Sequence, residues 1–109
     1  MDFDRPSELA DYFGYMILCA PDEYPYEDFE GDIQPTNASV FADAFRALES
    51  FVVIAKTEEG RERLNECLRN LRIAYEFYEL GDNRQGDEFL QETERMFHRC
   101  RKYIPISDE

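Results

Sequence analysis

Apolar residues recur at intervals of three and four in four separate stretches of this chain, and each stretch ends at a proline, a glycine or a fresh capping residue. That period marks one side of an α-helix and does not suit a strand, whose side chains alternate every second residue. The first stretch is Leu9, Tyr12, Phe13, Met16, Cys19 and Ala20. It predicts a helix over about 5–20, with Asp4 or Ser7 as cap, Pro6 in the first turn and Pro21 as the stop. The second, Phe41, Ala44, Phe45, Leu48, Phe51, Val52 and Ala55, predicts a helix over about 38–56 capped by Asn37 or Ser39. Val40, Val53 and Ile54 widen this stripe, so the helix is expected to be sandwiched between others.

Thr57, followed by Glu58 and Glu59, reads as the start of a third helix over about 58–80, with a capping hydroxyl and two acids at the positive end of the dipole. Its face is Leu64, Cys67, Leu68, Leu71, Ala74, Tyr75 and Tyr78, and Gly81 is suited to a left-handed C-terminal stop. Asp82 or Asn83 can cap the fourth helix, over about 83–103, whose face is Phe89, Leu90, Thr93, Met96, Phe97, Cys100 and Tyr103 before Pro105. So short a link between the third and fourth helices forces an antiparallel hairpin. Ile33 stands alone, and Tyr103 to Ile106 is broken by Pro105, so no strand is expected. The predicted fold class is all-α, a four-helix bundle or an orthogonal helical bundle. A single domain spans 1–109, with a long acidic loop over 21–37 between the first two helices.

The chain carries 25 acidic and 12 basic residues, a formal charge of -13. A molecule so negative is repelled by phosphate backbones and anionic lipid, which excludes direct nucleic-acid binding and membrane-surface attraction and favours a basic partner. No apolar run approaches the roughly 20 residues of a membrane span. Residues 1–6, MDFDRP, do not read as a secretory signal, so a cytoplasmic location is expected. Cys19, Cys67 and Cys100 lack paired spacing and fall on apolar helix faces, which fits reduced, buried thiols.

The negative charge is unevenly placed. Residues 6–45 contain no Lys or Arg but hold Glu8, Asp11, Asp22, Glu23, Glu27, Asp28, Glu30, Asp32 and Asp43. Beyond residue 45, acids and arginines interleave at helical spacings such as Glu62/Glu66/Arg69 and Glu88/Glu92/Arg95/Arg99, the pattern of an ordinary solvated surface. Acids without counter-ions repel one another and weaken a fold, so their concentration asks for an external reason. Between Pro21 and Thr36 they alternate with rings. Tyr24, Tyr26 and Phe29 are the expected partner-binding anchors, and Asp22, Glu23, Glu27, Asp28, Glu30 and Asp32 the pairing groups.

Catalytic and metal chemistry find little support, and no catalytic residue, metal ligand or cofactor is assigned. His98 is the only histidine and sits among Arg95, Arg99, Arg101 and Lys102, where cations complement a helix C-terminus. The 22–32 segment lacks the order of an EF-hand loop, and Glu76, Glu79 and Glu94 lack the histidines of a di-metal site. Gly81 and Gly86 do not form a phosphate loop. The basic run near His98 is expected to cap its helix or pair with the acidic half.

The run Ala74 to Asp82 (AYEFYELGD), followed by Gly86 and Phe89-Leu90, resembles the turn between helices of a tetratricopeptide unit. It occurs once, so the resemblance implies a helical hairpin and not a solenoid. The Leu9 to Gly14 start (LADYFG), the acidic segment and the Tyr75 to Leu90 hairpin together resemble the small acidic helical immunity proteins of bacterial polymorphic-toxin and contact-dependent inhibition systems. That resemblance implies a non-enzymatic protein that binds and blocks a cognate basic toxin in the cytoplasm, and it carries over no fixed functional residues. Two alternatives remain open. One is a nucleic-acid-mimicking inhibitor of a DNA- or RNA-binding protein. The other is an adaptor or structural bundle that forms a homodimer through the second helix.

Overall fold

The computed structural model describes residues 3–25 and 34–106. Within them the chain forms α1 (Pro6–Cys19), α2 (Asn37–Ile54), α3 (Glu58–Glu79) and α4 (Asn83–Cys100), followed by a short 3-10 turn (Arg101–Tyr103), with no strand among the described residues. The all-α helical bundle is thus the observed fold. Residues 26–33 and the loop expectation attached to them lie outside the described residues.

The helix ends follow their local chemistry. Thr57 and Asp82 cap α3 and α4 as expected, their side-chain oxygens accepting from the N–H groups of Gly60 (2.9 Å) and Gln85 (3.2 Å). At α2 the cap is Thr36, one residue before the expected Asn37, because its hydroxyl accepts from Ser39 N–H while Ser39 accepts from Thr36 N–H. Arg5 precedes α1, and neither Asp4 nor Ser7 is its cap. The carboxylate of Glu8 accepts the Arg5 N–H at 3.0 Å instead, with Pro6 in the first turn.

The hairpin of α3 and α4 is the most extensively packed pair and frames the molecule. Gly81 takes φ +82°, and the turn closes with Asp82 N–H on the Phe77 carbonyl (2.9 Å) and Gly81 N–H on that of Tyr78 (3.0 Å). Tyr78 lies flat over Gly86, where a Cβ would stand 2.9 Å from three ring carbons, and its hydroxyl donates to Asp87. Midway along the hairpin the half-buried Asn70 amide donates to the Phe89 carbonyl and to Thr93 Oγ1, both at 2.9 Å. Thr93 is fully buried and donates in turn to Phe89 O at 2.8 Å. A polar contact in the core is thereby satisfied, as burial demands.

Helix α2 lies against α3 through Phe41, whose ring meets Tyr75 at 5.1 Å and Tyr78 at 5.8 Å. Helix α1 lies against α4, with Phe13 edge-on to Phe97 at 5.7 Å, and Phe51 of α2 stacks on the same Phe97 at 6.1 Å. Helix α2 touches α3, α1 and, through Phe51, α4, and Val40 of its widened stripe is buried. The expected burial fails at Val53 and Ile54: Val53 is 76% exposed and Ile54 also faces outward, with no element over that side among the described residues. Helix α4 stops at Cys100 rather than 103, tightening into the 3-10 turn, and Tyr103 O accepts Lys56 N–H at 2.8 Å to tie this end to the α2–α3 corner. Cys67 and Cys100 are buried and reduced, whereas Cys19 is only half-buried. No helix among the described residues is long and apolar enough to cross a membrane.

Candidate partner-binding face

Helix α1 divides its side chains cleanly. Leu9, Phe13 and Met16 are fully buried against the bundle, with Tyr12 and Tyr15 half-buried at the margin. Glu8, Asp11, Tyr15 and Leu18 recur at three, four and three residues, so they share the outward stripe. Asp22 and Glu23 continue it in the turn after the helix, where Glu23 N–H donates to Cys19 O at 2.7 Å. Leu18 is 83% exposed in the midst of these carboxylates.

Beneath this face is a chain of rings. Phe3 meets Tyr12 at 4.9 Å, Tyr12 meets Tyr15 at 5.5 Å, and Tyr15 meets Tyr24 at 5.5 Å. Tyr12 donates to Asp43 Oδ2 at 3.3 Å, linking α1 to α2. Burial, reinforced by Asp43, holds the Tyr12 phenol well above its ordinary value.

The expected anchors need correction at Tyr24. Its ring is 1% exposed, packed against Tyr15, and its hydroxyl donates to Asn37 Oδ1 at 2.8 Å while its carbonyl accepts from Gln34 Nε2 at 2.8 Å. Once Pro21 ends the helix, the chain turns back and the ring drops into the gap beside α1, because hiding it from water outweighs leaving it available. Tyr24 is therefore a strut joining residues on either side of segment 26–33. Of the other expected site residues, Asp22 and Glu23 are exposed. Tyr26, Glu27, Asp28, Phe29, Glu30 and Asp32 lie outside the described residues.

The carboxylates of the cation-free segment differ in what they already do. Asp43 pairs with Arg46 and accepts from Tyr12, and Glu8 closes the start of α1. Asp11, Asp22 and Glu23 have no hydrogen bond or ion pair to their carboxylates among the described residues. In the hairpin, by contrast, Arg61 pairs with Glu58, Arg84 with Glu88, and Arg95 and Arg99 with Glu92. Of the two roles expected for the basic run near His98, the described residues show the helix-end one: His98 and Arg99 stand in the last turn of α4, and the ion pairs of Arg84, Arg95 and Arg99 run along α4 to Glu88 and Glu92. Leu18 escaped the sequence reading, although its signal was present: it is an apolar residue two positions from Met16 and off the 9-12-13-16 face.

Among the described residues no group of three His, Cys, Asp or Glu side chains is placed to hold a metal ion. Burial raises the thiols of Cys67 and Cys100 above their ordinary value, which keeps them protonated and poorly nucleophilic. No protein-family model, characterised protein or solved structure matches this chain.

Proposed function

We propose that this chain is a non-enzymatic inhibitor that binds a basic protein, and that it acts as an immunity protein neutralising a cognate toxin in the cytoplasm. The observation that carries this reading is the contrast between Asp11, Asp22 and Glu23, exposed and without an ion pair among the described residues on the side of the open Leu18, and the paired carboxylates of α3 and α4. Like charges gathered on one surface repel one another, and a large exposed leucine gains nothing by facing water. Both features become favourable once a cationic surface covers them, with Leu18 as the apolar anchor and the carboxylates as the steering and pairing groups. A toxin acting on nucleic acid is basic for electrostatic reasons, and occupying its substrate surface blocks it without chemistry.

Site-specific photocrosslinking in the source cell tests the assignment. A photoreactive phenylalanine derivative in place of Leu18 is expected to trap one basic protein, whereas the same group in place of Val53 traps none. Crosslinks from position 53 with none from position 18 move the interface to α2 and contradict the proposal.

A further inference from the structure

Cations that might have neutralised the acidic half collect elsewhere, where the start of α3 faces the end of α4. Glu59, Arg63, His98, Arg99, Lys102 and Tyr103 line a hollow of about 390 Å³ there. We propose that this hollow is a binding site for a small phosphate-bearing anion. Three permanent cations, Arg63, Arg99 and Lys102, line it with one carboxylate, Glu59, while Glu66 and Glu92 reach Arg63 and Arg99 only from the adjoining hollow on the far side of the two arginines.

Their internal pairing is loose. Arg63 stands 3.6 Å from Glu59 and Arg99 donates one long hydrogen bond of 3.5 Å to Glu92, so most of the five N–H donors on each fork remain open to a ligand. Arginine forks match the oxygens of a phosphate, and the lysine adds a point charge.

The hollow is built rather than accidental. Its wall is Tyr103, held by the Lys56 N–H bond to its carbonyl and by close approach to Gly60, where a Cβ would stand 2.5 Å from the Tyr103 Cβ. Only glycine at residue 60 lets the 3-10 turn close over the start of α3. The volume lies at the lower end of small-molecule sites, which run from about 300 to 1,000 Å³. Size also follows from charge. A polyanion would be repelled by the whole molecule, but a small ion within the hollow is screened from the acidic face beyond about 8 Å at physiological salt. The site uses no residue of α1 and stands independently of the partner reading.

Amide chemical shifts of the labelled full chain, followed while inorganic pyrophosphate is titrated at constant ionic strength, test it. The expected result is saturable shifts concentrated at residues 60, 63, 99, 102 and 103, an apparent affinity at least about tenfold weaker in Arg63→Gln and Arg99→Gln, and an unchanged affinity in Arg84→Gln. All three arginines are exposed, so these variants keep the fold. Shifts that do not saturate, that scatter over the surface, or that persist equally in Arg63→Gln and Arg99→Gln overturn the proposal.

Discussion

At the scale of single residues, the core is held by apolar packing with a few polar contacts that have no substitute. Asn70 is the clearest. Its amide satisfies Phe89 O and reaches Thr93 Oγ1, while Thr93 spends its own proton on Phe89 O. Asn70→Ala should lower unfolding free energy by about 1–3 kcal/mol. Asn70→Asp should cost more, since a carboxylate there faces oxygen acceptors instead of donors; urea denaturation distinguishes the two. Buried phenols and thiols set the alkaline limit. Tyr12, Tyr24 and Tyr78, with Cys67 and Cys100, all titrate above their ordinary values of 10.0 and 9.0, chiefly because burial penalises the charged form. Above pH 9 to 10 the unfolded chain releases protons that the folded one still holds, so stability falls as pH rises through that window and is unaffected by these groups below it. Tyr24→Phe should cost about 0.5–1.5 kcal/mol at neutral pH by losing its bond to Asn37, yet flatten the alkaline decline.

At the scale of elements, helices were legible wherever periodicity and punctuation agreed. Thr57, Gly81 and Asp82 perform the roles their chemistry suggested, because a cap or a left-handed stop depends on neighbours in sequence. The outer edge of α2 was not legible: Val53 and Ile54 look like core residues in a string, and only the absence of a neighbour on that side among the described residues leaves them out. The same limit hid Tyr24, since whether a ring beside acids is offered or swallowed depends on the gap left between α1 and α2. Gly86 gives a sharp test of the hairpin. By propensity alone Gly86→Ala should gain up to about 1 kcal/mol. The Tyr78 ring, pinned by Phe41 and by its bond to Asp87, cannot retreat from a Cβ at 2.9 Å. Gly86→Ala should therefore destabilise by about 1–3 kcal/mol, read from thermal or urea unfolding.

At the scale of the whole molecule, net charge governs both stability and association. With -13 on one small domain, self-repulsion opposes compactness. Raising salt from about 0.01 M to about 0.15 M shortens the screening length from about 30 to about 8 Å, and the melting temperature should rise with it. Neutralising the exposed acidic face in Asp11→Asn/Asp22→Asn/Glu23→Gln should have a similar stabilising effect at low salt. A gain of ~1 kcal/mol corresponds to a rise of about 4 °C or more in a domain of this size. The decisive measurement is the association rate of the protein trapped through position 18, with wild-type chain and with that triple variant, across a range of salt. The account predicts a wild-type rate that falls steeply as salt increases, and a variant at least about tenfold slower at low salt with a nearly flat dependence. Equal rates for the two chains, or a wild-type rate indifferent to salt, would contradict it.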